Sequence, residues 1–176
     1  MRIDIRPTIQ EDIPAVTYVL SQATLHKAAH NDYLWGDNPY TYEEVEKRLE
    51  SGGLYTVFCD DVIAGTATLT EADERVWGDD GKSEEKALYI HGLATSDSVR
   101  GKHVGEKVIN WVIEKAREED RKAVRLDCSY TNRKLCHYYE KRGFVEIRRR
   151  NIPRKVTARD LRDPIYQVAL MERSVT

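Results

Sequence analysis

The chain has 176 residues, 40% of them hydrophobic and 33% charged, and 28 basic against 30 acidic residues give a formal net charge of −2. This balance does not favour a nucleic-acid binder. No apolar run approaches the roughly 20 residues of a membrane span, and the alternating, acid-bearing start is unlike a signal peptide. The sequence therefore predicts one cytoplasmic domain over residues 1–176, long enough to bury a core and without a membrane partner.

The first elements in chain order are a short strand and a long helix. Alternating hydrophobicity over Arg2–Arg6 predicts the strand. Thr8 and Glu11 form a Thr-x-x-Glu capping box, which predicts a helix from about Ile9 to Lys27. Turn formers and aromatic residues between His30 and Tyr40 then predict a loop.

A second helix and a hairpin follow this loop. Thr41 and Glu44 repeat the capping-box pattern and predict a short helix. Two β-rich runs, Leu54–Cys59 and Val62–Thr70, are separated by two aspartates and predict a β-hairpin. Gly65 inside the second run predicts a bulge or a close packing contact.

The second half of the chain alternates between strands and helices. The polar stretch Asp73–Glu85 predicts a surface loop before a strand over Lys86–Thr95. Three- and four-residue apolar steps predict a helix over Lys102–Glu119, a strand over Ala123–Cys128 follows, and Asn132 is a candidate N-cap for the last helix. The final predicted strands are Phe144–Arg149 and Ile165–Met171. This order predicts an α/β protein with a mixed sheet and helices on its faces.

The stretch Leu93–Gly105 carries the strongest functional signal. An apolar strand runs into a basic, glycine-bearing loop and then into an amphipathic helix, so backbone N–H groups and a positive helix end meet, as they do in phosphate sites. A P-loop is excluded because Glu106 stands five residues after Gly101, where that motif needs glycine. A dinucleotide fingerprint, Gly-x-Gly-x-x-Gly, is absent from the sequence.

This stretch resembles motif A of the GNAT superfamily of N-acetyltransferases, Arg/Gln-x-x-Gly-x-Gly/Ala. The matching residues are Arg100-Gly101-Lys102-His103-Val104-Gly105, with His103 where the middle glycine is usual. The resemblance continues into motif B through Asn132, Tyr138-Tyr139-Glu140-Lys141 and Gly143-Phe144. It implies a GNAT-like fold, in which a central, mostly antiparallel sheet contains one splayed parallel strand pair and is flanked by helices.

The resemblance also implies acetyl-CoA as cosubstrate, and no metal is expected. In such a site the main chain of Leu93 and Thr95 pairs with the pantetheine arm, and the N–H groups of about Lys102 to Gly105 hold the pyrophosphate. At His103, a positive φ would make histidine cost on the order of 1 kcal/mol more than glycine, whereas an ordinary first-turn helical conformation would make it harmless, and we favour the second. The cofactor-binding candidates are Leu93, Ala94, Thr95, Arg100, Gly101, Lys102, His103, Val104, Gly105 and Asn132.

Acetyl transfer needs a neutral amine, a stabilised oxyanion and a proton for the leaving thiolate. Backbone N–H groups near Leu93 and Ala94 are candidates for the oxyanion. Tyr139 matches the family's general acid, with a packing aromatic as the alternative. His91, in a local His-x-Leu-Ala pattern that resembles arylalkylamine acetyltransferases, is the candidate base because imidazole titrates near neutral pH. A structural strand histidine, with Glu71 as the base, is the alternative.

Aromatic residues between the first two helices are candidates for acceptor binding. The family covers its acceptor site in this region, and aromatic walls suit amines. Packing of the loop onto the sheet and a dimer surface are the alternatives. The residues are Tyr33, Trp35, Tyr40 and Tyr42.

Two other features favour structural roles. Cys59, Cys128 and Cys136 each lie in or beside apolar segments and are predicted to be buried, although a thiol mechanism with His137 beside the last of them stays open. The segment Arg148–Asp163 holds seven basic and two acidic residues and predicts a solvated face or an anion-binding patch.

The function predicted from the sequence is acetyl-CoA-dependent transfer of an acetyl group to a primary amine, of a small molecule, by direct transfer in a ternary complex. A protein N-terminus or lysine is the alternative acceptor. A non-catalytic acyl-CoA-binding module is the alternative class, and a nucleic-acid partner is a minority interpretation. A homodimer through Ile165–Met171 stays open.

Overall fold

The computed structural model describes residues 1–153 and 165–175. Its strands form one seven-stranded sheet in the order β1-β2-β3-β4-β5-β7-β6. The strands are β1 (Ile3–Pro7), β2 (Leu54–Cys59), β3 (Val62–Thr70), β4 (Ala87–Thr95), β5 (Ala123–Ser129), β6 (Val145–Pro153) and β7 (Ile165–Ser174). Every helix in the described part of the chain is too short or too polar to cross a bilayer.

In the described part of the chain, five α-helices cover this sheet. They are α1 (Ile13–Ala29), α2 (Tyr42–Ser51), α3 (Glu74–Trp77), α4 (Val104–Glu118) and α5 (Arg133–Glu140). The apolar side of α4, including Val108 and Val112, packs in one cluster with Val57 of β2, whereas α1 and α2 share a second cluster with Leu54. Because side chains alternate along a strand, Leu54 and Val57 mark opposite faces, so the helices form two layers around the sheet.

One parallel pair interrupts the otherwise antiparallel sheet. β4 and β5 run parallel and pair only from Ala87 opposite Ala123 to Ile90 opposite Leu126. β4 continues to Thr95 beyond this point without a partner on that side, while β5 keeps pairing with β7 to Ser129. The predicted fold class, a mostly antiparallel sheet with one splayed parallel pair, is confirmed.

A bulge in β4 lies where the two strands separate. The register with β3 shifts so that Gly92 and Leu93 stand opposite a single residue, and Gly92 has a φ of +57°. Gly65 on β3 permits the neighbouring close approach, because a Cβ there would lie 2.8 Å from the carbonyl oxygen of Ala94. The predicted close packing contact at Gly65 is thereby explained.

The capping box predicted at Thr8 and Glu11 is wrong. The Thr8 hydroxyl instead bonds Thr56 Oγ1 (2.9 Å), and the buried carboxylate of Asp12 accepts hydrogen bonds from the Ile9 N–H and from Thr56. Since Asp12 also pairs with Arg6, a tertiary network and not a local motif fixes the start of α1. The second capping box, Thr41 with Glu44, is confirmed.

The surface loop predicted over Asp73–Glu85 is also wrong. It contains α3 and short 3₁₀ turns, and Trp77 is 1% exposed. The indole packs edge-on against Tyr89, with ring centroids 5.9 Å apart, and the Arg125 guanidinium lies over its face. A segment that is polar in composition therefore anchors one end of the core through a single aromatic side chain.

Candidate active site

The separation of β4 and β5 opens a cavity of about 950 Å³. Its lining includes β4 from Ile90 to Thr95 and β5 from Leu126 to Cys128, with α1 and α5 along its sides. The edge of β4 that faces β5 has no strand partner beyond Ile90, so its main-chain groups are open to an extended ligand. The bulge at Gly92 adds one residue outside the regular ladder, close to the point where the unpaired edge of β4 begins.

The start of α4 supplies free N–H groups beside the cavity. The N–H groups of Val104, Gly105 and Glu106 have no acceptor among the described residues, as is usual for a first helical turn. The N–H of Lys102, predicted to be a further donor, already bonds the Val99 carbonyl oxygen at 3.0 Å. The available donors therefore lie slightly further along the chain than the sequence suggested.

His103 has a left-handed conformation, with φ +57° and ψ +26°, and the first-turn helical conformation expected for it is wrong. This position is one that favours glycine, and histidine there costs on the order of 1 kcal/mol. The exposed ring lies 3.5 Å from a Glu106 carboxylate oxygen, and Glu106 in turn binds Arg142. The backbone therefore keeps a glycine-like turn before α4 although the residue is histidine.

Gly105 lies against the cavity wall. A Cβ at this position would stand 3.0 Å from the Tyr138 hydroxyl and 4.0 Å from Thr95 Cγ2. Gly101 has a φ of +77° and open space around it. Arg100 lines the mouth of the cavity and is paired with Asp97 at 2.5 Å. The motif-A residues thus surround the free end of α4.

Asn132 is held by the protein itself. Its Oδ1 accepts the Leu135 N–H at 3.1 Å, so the predicted N-cap is confirmed, and its Nδ2 donates to Asp32 at 2.7 Å. Asp32 also pairs with Lys27. The amide therefore joins α5 to the end of α1 at the side of the cavity, and a cofactor contact from Asn132 remains a prediction.

Tyr139 lies between the core and the cavity. Only 9% of the residue is exposed, and the ring packs edge-on against Tyr138 and Phe144. The hydroxyl has no hydrogen-bond partner among the described residues, although Tyr139 lines the cavity. Burial raises the pKa of Tyr139 well above its ordinary value, so the phenol stays protonated in the site but is a weaker acid than a free tyrosine.

His91 stands where β4 leaves β5, and its hydrogen bonds define its tautomer. Thr70 Oγ1 donates its only proton to the Ala72 carbonyl oxygen (3.0 Å), so His91 Nε2, 2.9 Å from the same oxygen, must be the donor of that bond. The lone pair of the neutral ring is then on Nδ1. Burial lowers the pKa of His91; the charge of Asp73 opposes this shift and that of Arg48 adds to it.

Two carboxylates that the sequence analysis did not single out lie beside His91. One potential ligand atom from each of Asp73, His91 and Asp127 lies within 4.8 Å of the others. Burial, and then the charge of Asp73, raises the pKa of Asp127 to about 7. Asp127 is a polar position at the C-terminal end of a parallel strand, and that position is the sequence signal that could have identified it.

The alternative base and nucleophiles lie elsewhere or are buried. Glu71 pairs with Arg121 at 2.6 Å and is absent from the cavity lining. The predicted burial of the three cysteines is confirmed. Burial raises the pKa of Cys128, whose Sγ is 3.8 Å from that of Cys136, and His137 is exposed and bonded to Glu140. The geometry thus does not support a thiol mechanism.

The predicted acceptor residues separate into two groups. Trp35 and Tyr40 line the cavity, whereas Tyr33 is absent from its lining and Tyr42 is 60% exposed. Tyr40 is itself buried, and its hydroxyl accepts a hydrogen bond from Arg48 at 2.7 Å. The role of Tyr40 in the structure is therefore to hold an arginine that the sequence analysis missed.

The basic segment is only partly described. Arg148 bonds the Trp77 carbonyl oxygen and Asp80, Arg149 bonds Glu146, and Arg150 bonds the Val76 carbonyl oxygen. The rest of the predicted patch lies at 154–163, outside the described residues. In the described part, each of these arginines has a partner within the protein.

The profile of the Acetyltransferase (GNAT) family matches residues 22–144, well over half of the chain. The chain therefore belongs to the GNAT family of acetyltransferases and is an N-acetyltransferase by class, as its motifs predicted.

A curated relative has a similar sequence. YesJ of Bacillus subtilis (strain 168), described as an uncharacterized N-acetyltransferase, is 25% identical over 144 residues, which cover 78% of this chain and 79% of YesJ.

Solved structures share the fold at lower identity. An N-acetyltransferase from Staphylococcus aureus Mu50 has a TM-score of 0.73 and 15% identity, with all of both chains covered. The yncA protein of Salmonella typhimurium, solved with its cofactor acetyl-CoA, has a TM-score of 0.71 and 15% identity, covering 100% of this chain and 95% of that one.

Asp127→Asn is expected to change how stability depends on pH. The raised pKa means that the folded state favours protonated Asp127. The contribution of this group to the free energy of unfolding is therefore fully present below pH 4 and is lost as the pH rises to about 7. The free energy of unfolding of the variant should exceed that of the wild type by roughly 1–3 kcal/mol at pH 8 and by much less at pH 5. The size of this difference is reduced because water reaches the cavity. Urea unfolding at both pH values measures this difference. Exposed Asp4→Asn is the control, and an equal gain at both pH values would contradict the assignment.

Proposed function

We propose that this chain binds acetyl-CoA and transfers its acetyl group to the primary amine of a small molecule, by direct transfer in a ternary complex. The observation that carries the proposal is the unpaired edge of β4. This edge runs from the end of the cavity at His91, which we call its floor, to the free N–H groups at the start of α4. An extended arm with a phosphate at one end and a thioester at the other matches this arrangement.

The main chain of β4 would hold the cosubstrate. Leu93 and Thr95 would bond the pantetheine amides as a neighbouring strand would, while the N–H groups of Val104, Gly105 and Glu106 would face the pyrophosphate. Arg100 at the mouth would add a positive charge. Extra main-chain donors at the Gly92 bulge would face the thioester oxygen, where they would stabilise the developing negative charge.

The proton transfers would fall to two side chains. His91 Nδ1, which carries the lone pair, would take the proton from the attacking amine nitrogen. As the new C–N bond forms and the C–S bond breaks, the Tyr139 hydroxyl would give a proton to the leaving sulfur. Asp127 and Asp73 would favour the protonated form of His91 at the moment the proton arrives.

The cavity favours a small acceptor. It is bounded by α1, the loop that carries Trp35 and Tyr40, and α2 through Arg48, and an acceptor must reach the floor past these groups. A protein N-terminus or lysine would have to enter as an extended segment. The small-molecule amine is therefore the acceptor we favour, and the aromatic wall of Trp35 would contact it.

Binding of the cosubstrate is expected to raise the melting temperature. Acetyl-CoA and free CoA at about 100 times their Kd should each add roughly 2.7 kcal/mol, or about 5–10 °C, whereas ATP should add little. Gly105→Glu should abolish the shift because its side chain would fill the space beside Tyr138 and Thr95. Asn110→Glu, on the exposed side of the same helix, should keep it. The absence of a shift with both CoA species would overturn the proposed function.

Tyr139→Phe is expected to lower kcat by about 10²-fold or more while leaving the KM for acetyl-CoA nearly unchanged, because only proton donation to sulfur is lost. The decisive measurement repeats the assay with an acetyl thioester of an aromatic thiol, whose sulfur leaves without a proton. The deficit should largely disappear with that donor. A deficit of the same size with both donors would show that Tyr139 has a packing role only.

His91→Gln is expected to lower kcat by about 10²-fold and to remove the acidic limb of the pH profile. In the wild type this limb should lie below pH 6.5, because the lowered pKa keeps the ring neutral at and above that pH. Thr70→Val, which removes the partner of Nε2, should weaken activity less. An acidic limb that persists unchanged in His91→Gln would assign it to another group.

A further inference from the structure

Arg48 reaches from α2 to the floor of the cavity. Its Nη1 stands 2.8 Å from the position that a Cβ on Gly92 would occupy, directly over the bulge of β4. Its Nη2 donates to the Tyr40 hydroxyl at 2.7 Å, and its Cζ lies 4.9 Å from the centroid of the Tyr40 ring. The guanidinium is therefore positioned beside the proposed reaction centre by a buried aromatic side chain.

Arg48 differs from the other cations that line the cavity. Lys27 is paired with Asp32 at 2.5 Å, and the remaining cationic side chains are exposed. These exposed residues are His26, His30, Arg75, Arg100 and Lys134. Arg48 is half-buried, and within residues 1–153 and 165–175 no carboxylate lies within 4.0 Å of it. A partly desolvated guanidinium without a counter-ion favours binding of an anion.

This anion is not the cosubstrate's pyrophosphate. The free end of α4 faces Thr95 and Tyr138, whereas Arg48 lies at Gly92, three residues earlier on β4. Three residues of extended strand span roughly 10 Å. Arg48 therefore stands at the end of the cavity where the acceptor meets the acetyl group, and its anion must be part of the acceptor.

The same end of the cavity also holds two carboxyl groups. Asp73 and Asp127 lie beside His91, neither carboxylate forms an ion pair in the described part of the chain, and the buried Oδ2 of Asp73 has no hydrogen-bond partner there. An ammonium group suits this corner, and a carboxylate suits Arg48, because Nη2 keeps a second N–H beside the one given to Tyr40 and forms a planar fork with a neighbouring N–H of Nη1 or Nε. The cavity thus places a guanidinium and two carboxyl groups beside the bulge of β4.

We infer that the acceptor is a zwitterionic amine of the α-amino-acid class, with its ammonium group at Asp127 and Asp73 and its carboxylate on Arg48. An ionised carboxylate of this pair takes the first proton to give the neutral amine, and His91 takes the second as the C–N bond forms. The inference rests on the proposed acetyl transfer and narrows its substrate class. Arg48 is a specificity-determining residue in this scheme: it selects acceptors by their carboxylate and takes no proton.

The test compares, in acetyl transfer from acetyl-CoA, three acceptors that share one side chain but differ in their carboxyl group. The free amino acids tryptophan, phenylalanine and methionine are each assayed beside their amides and beside the amines that lack the carboxylate. The amide has no negative charge and mimics a peptide N-terminus. For at least one side chain the free amino acid should be preferred by about 10- to 100-fold in kcat/KM, which is the range for a charged hydrogen-bonded pair.

Arg48→Gln should remove this preference by raising the KM for the amino acid roughly 10- to 100-fold, with little change for the amide or the amine. Arg48→Lys keeps the charge but not the fork and should fall between the two. Lys47→Gln removes an exposed charge from the neighbouring position of α2 and should behave as the wild type. A circular dichroism spectrum and the CoA-induced melting shift of each variant verify that it is folded.

The outcomes separate the acceptor class from the proposed function. Transfer to amides or amines at rates equal to or above the amino acids, or a preference that survives in Arg48→Gln, overturns the zwitterion but leaves acetyl transfer standing. Where turnover is too slow, the amino acid, amide and amine of each side chain are tested for their effect on the melting temperature of the protein–CoA complex. Equal shifts for the three acceptors overturn the inference. No melting shift with acetyl-CoA or CoA overturns the proposed function, and the inference fails with it.

Discussion

The site depends on one constraint, which is that β4 and β5 cannot remain paired along their whole lengths. Their parallel ladder stops after Ile90 and Leu126 because the bulge at Gly92 redirects β4 while β5 stays in register with β7. If the two strands paired along their whole lengths, their backbone N–H and C=O groups would bond each other and none would be left for a ligand. The open gap leaves a strand edge unsatisfied in the middle of a sheet, where a ligand with amide groups can complete it without exposing an edge to other proteins.

The charges around this gap oppose stability and favour function. Asp73, His91 and Asp127 lie close together and half-buried, and Arg48 reaches the same region without a counter-ion among the described residues. Each group would be more stable in water or beside a partner, so the protein holds them at a cost. The well-packed layers on both faces of the sheet, with α4 on one side and α1 and α2 on the other, offset this cost.

Local patterns predicted much of the architecture, and the errors share one cause. The hairpin from β2 to β3, the Thr41 capping box and the Asn132 cap are correct because each depends on a few neighbouring residues. The Thr8 capping box failed because Thr56, 48 residues away, binds the same hydroxyl. The loop around Trp77 failed because one buried indole outweighs a polar composition, and only the fold supplies its partner Tyr89.

The sequence by itself determined the family, the strand–helix unit around Gly105 and the candidates His91 and Tyr139, because these follow from short motifs whose chemistry is local. Only the tertiary structure showed that Arg48 lies over Gly92 and that Asp127 lies beside His91, since their elements are far apart in the chain. It also decided the conformation of His103, which the turn before α4 imposes on a residue that does not favour it. The physical reason is that charge and burial are properties of a place in the fold, and a side chain acquires them only when distant elements pack together.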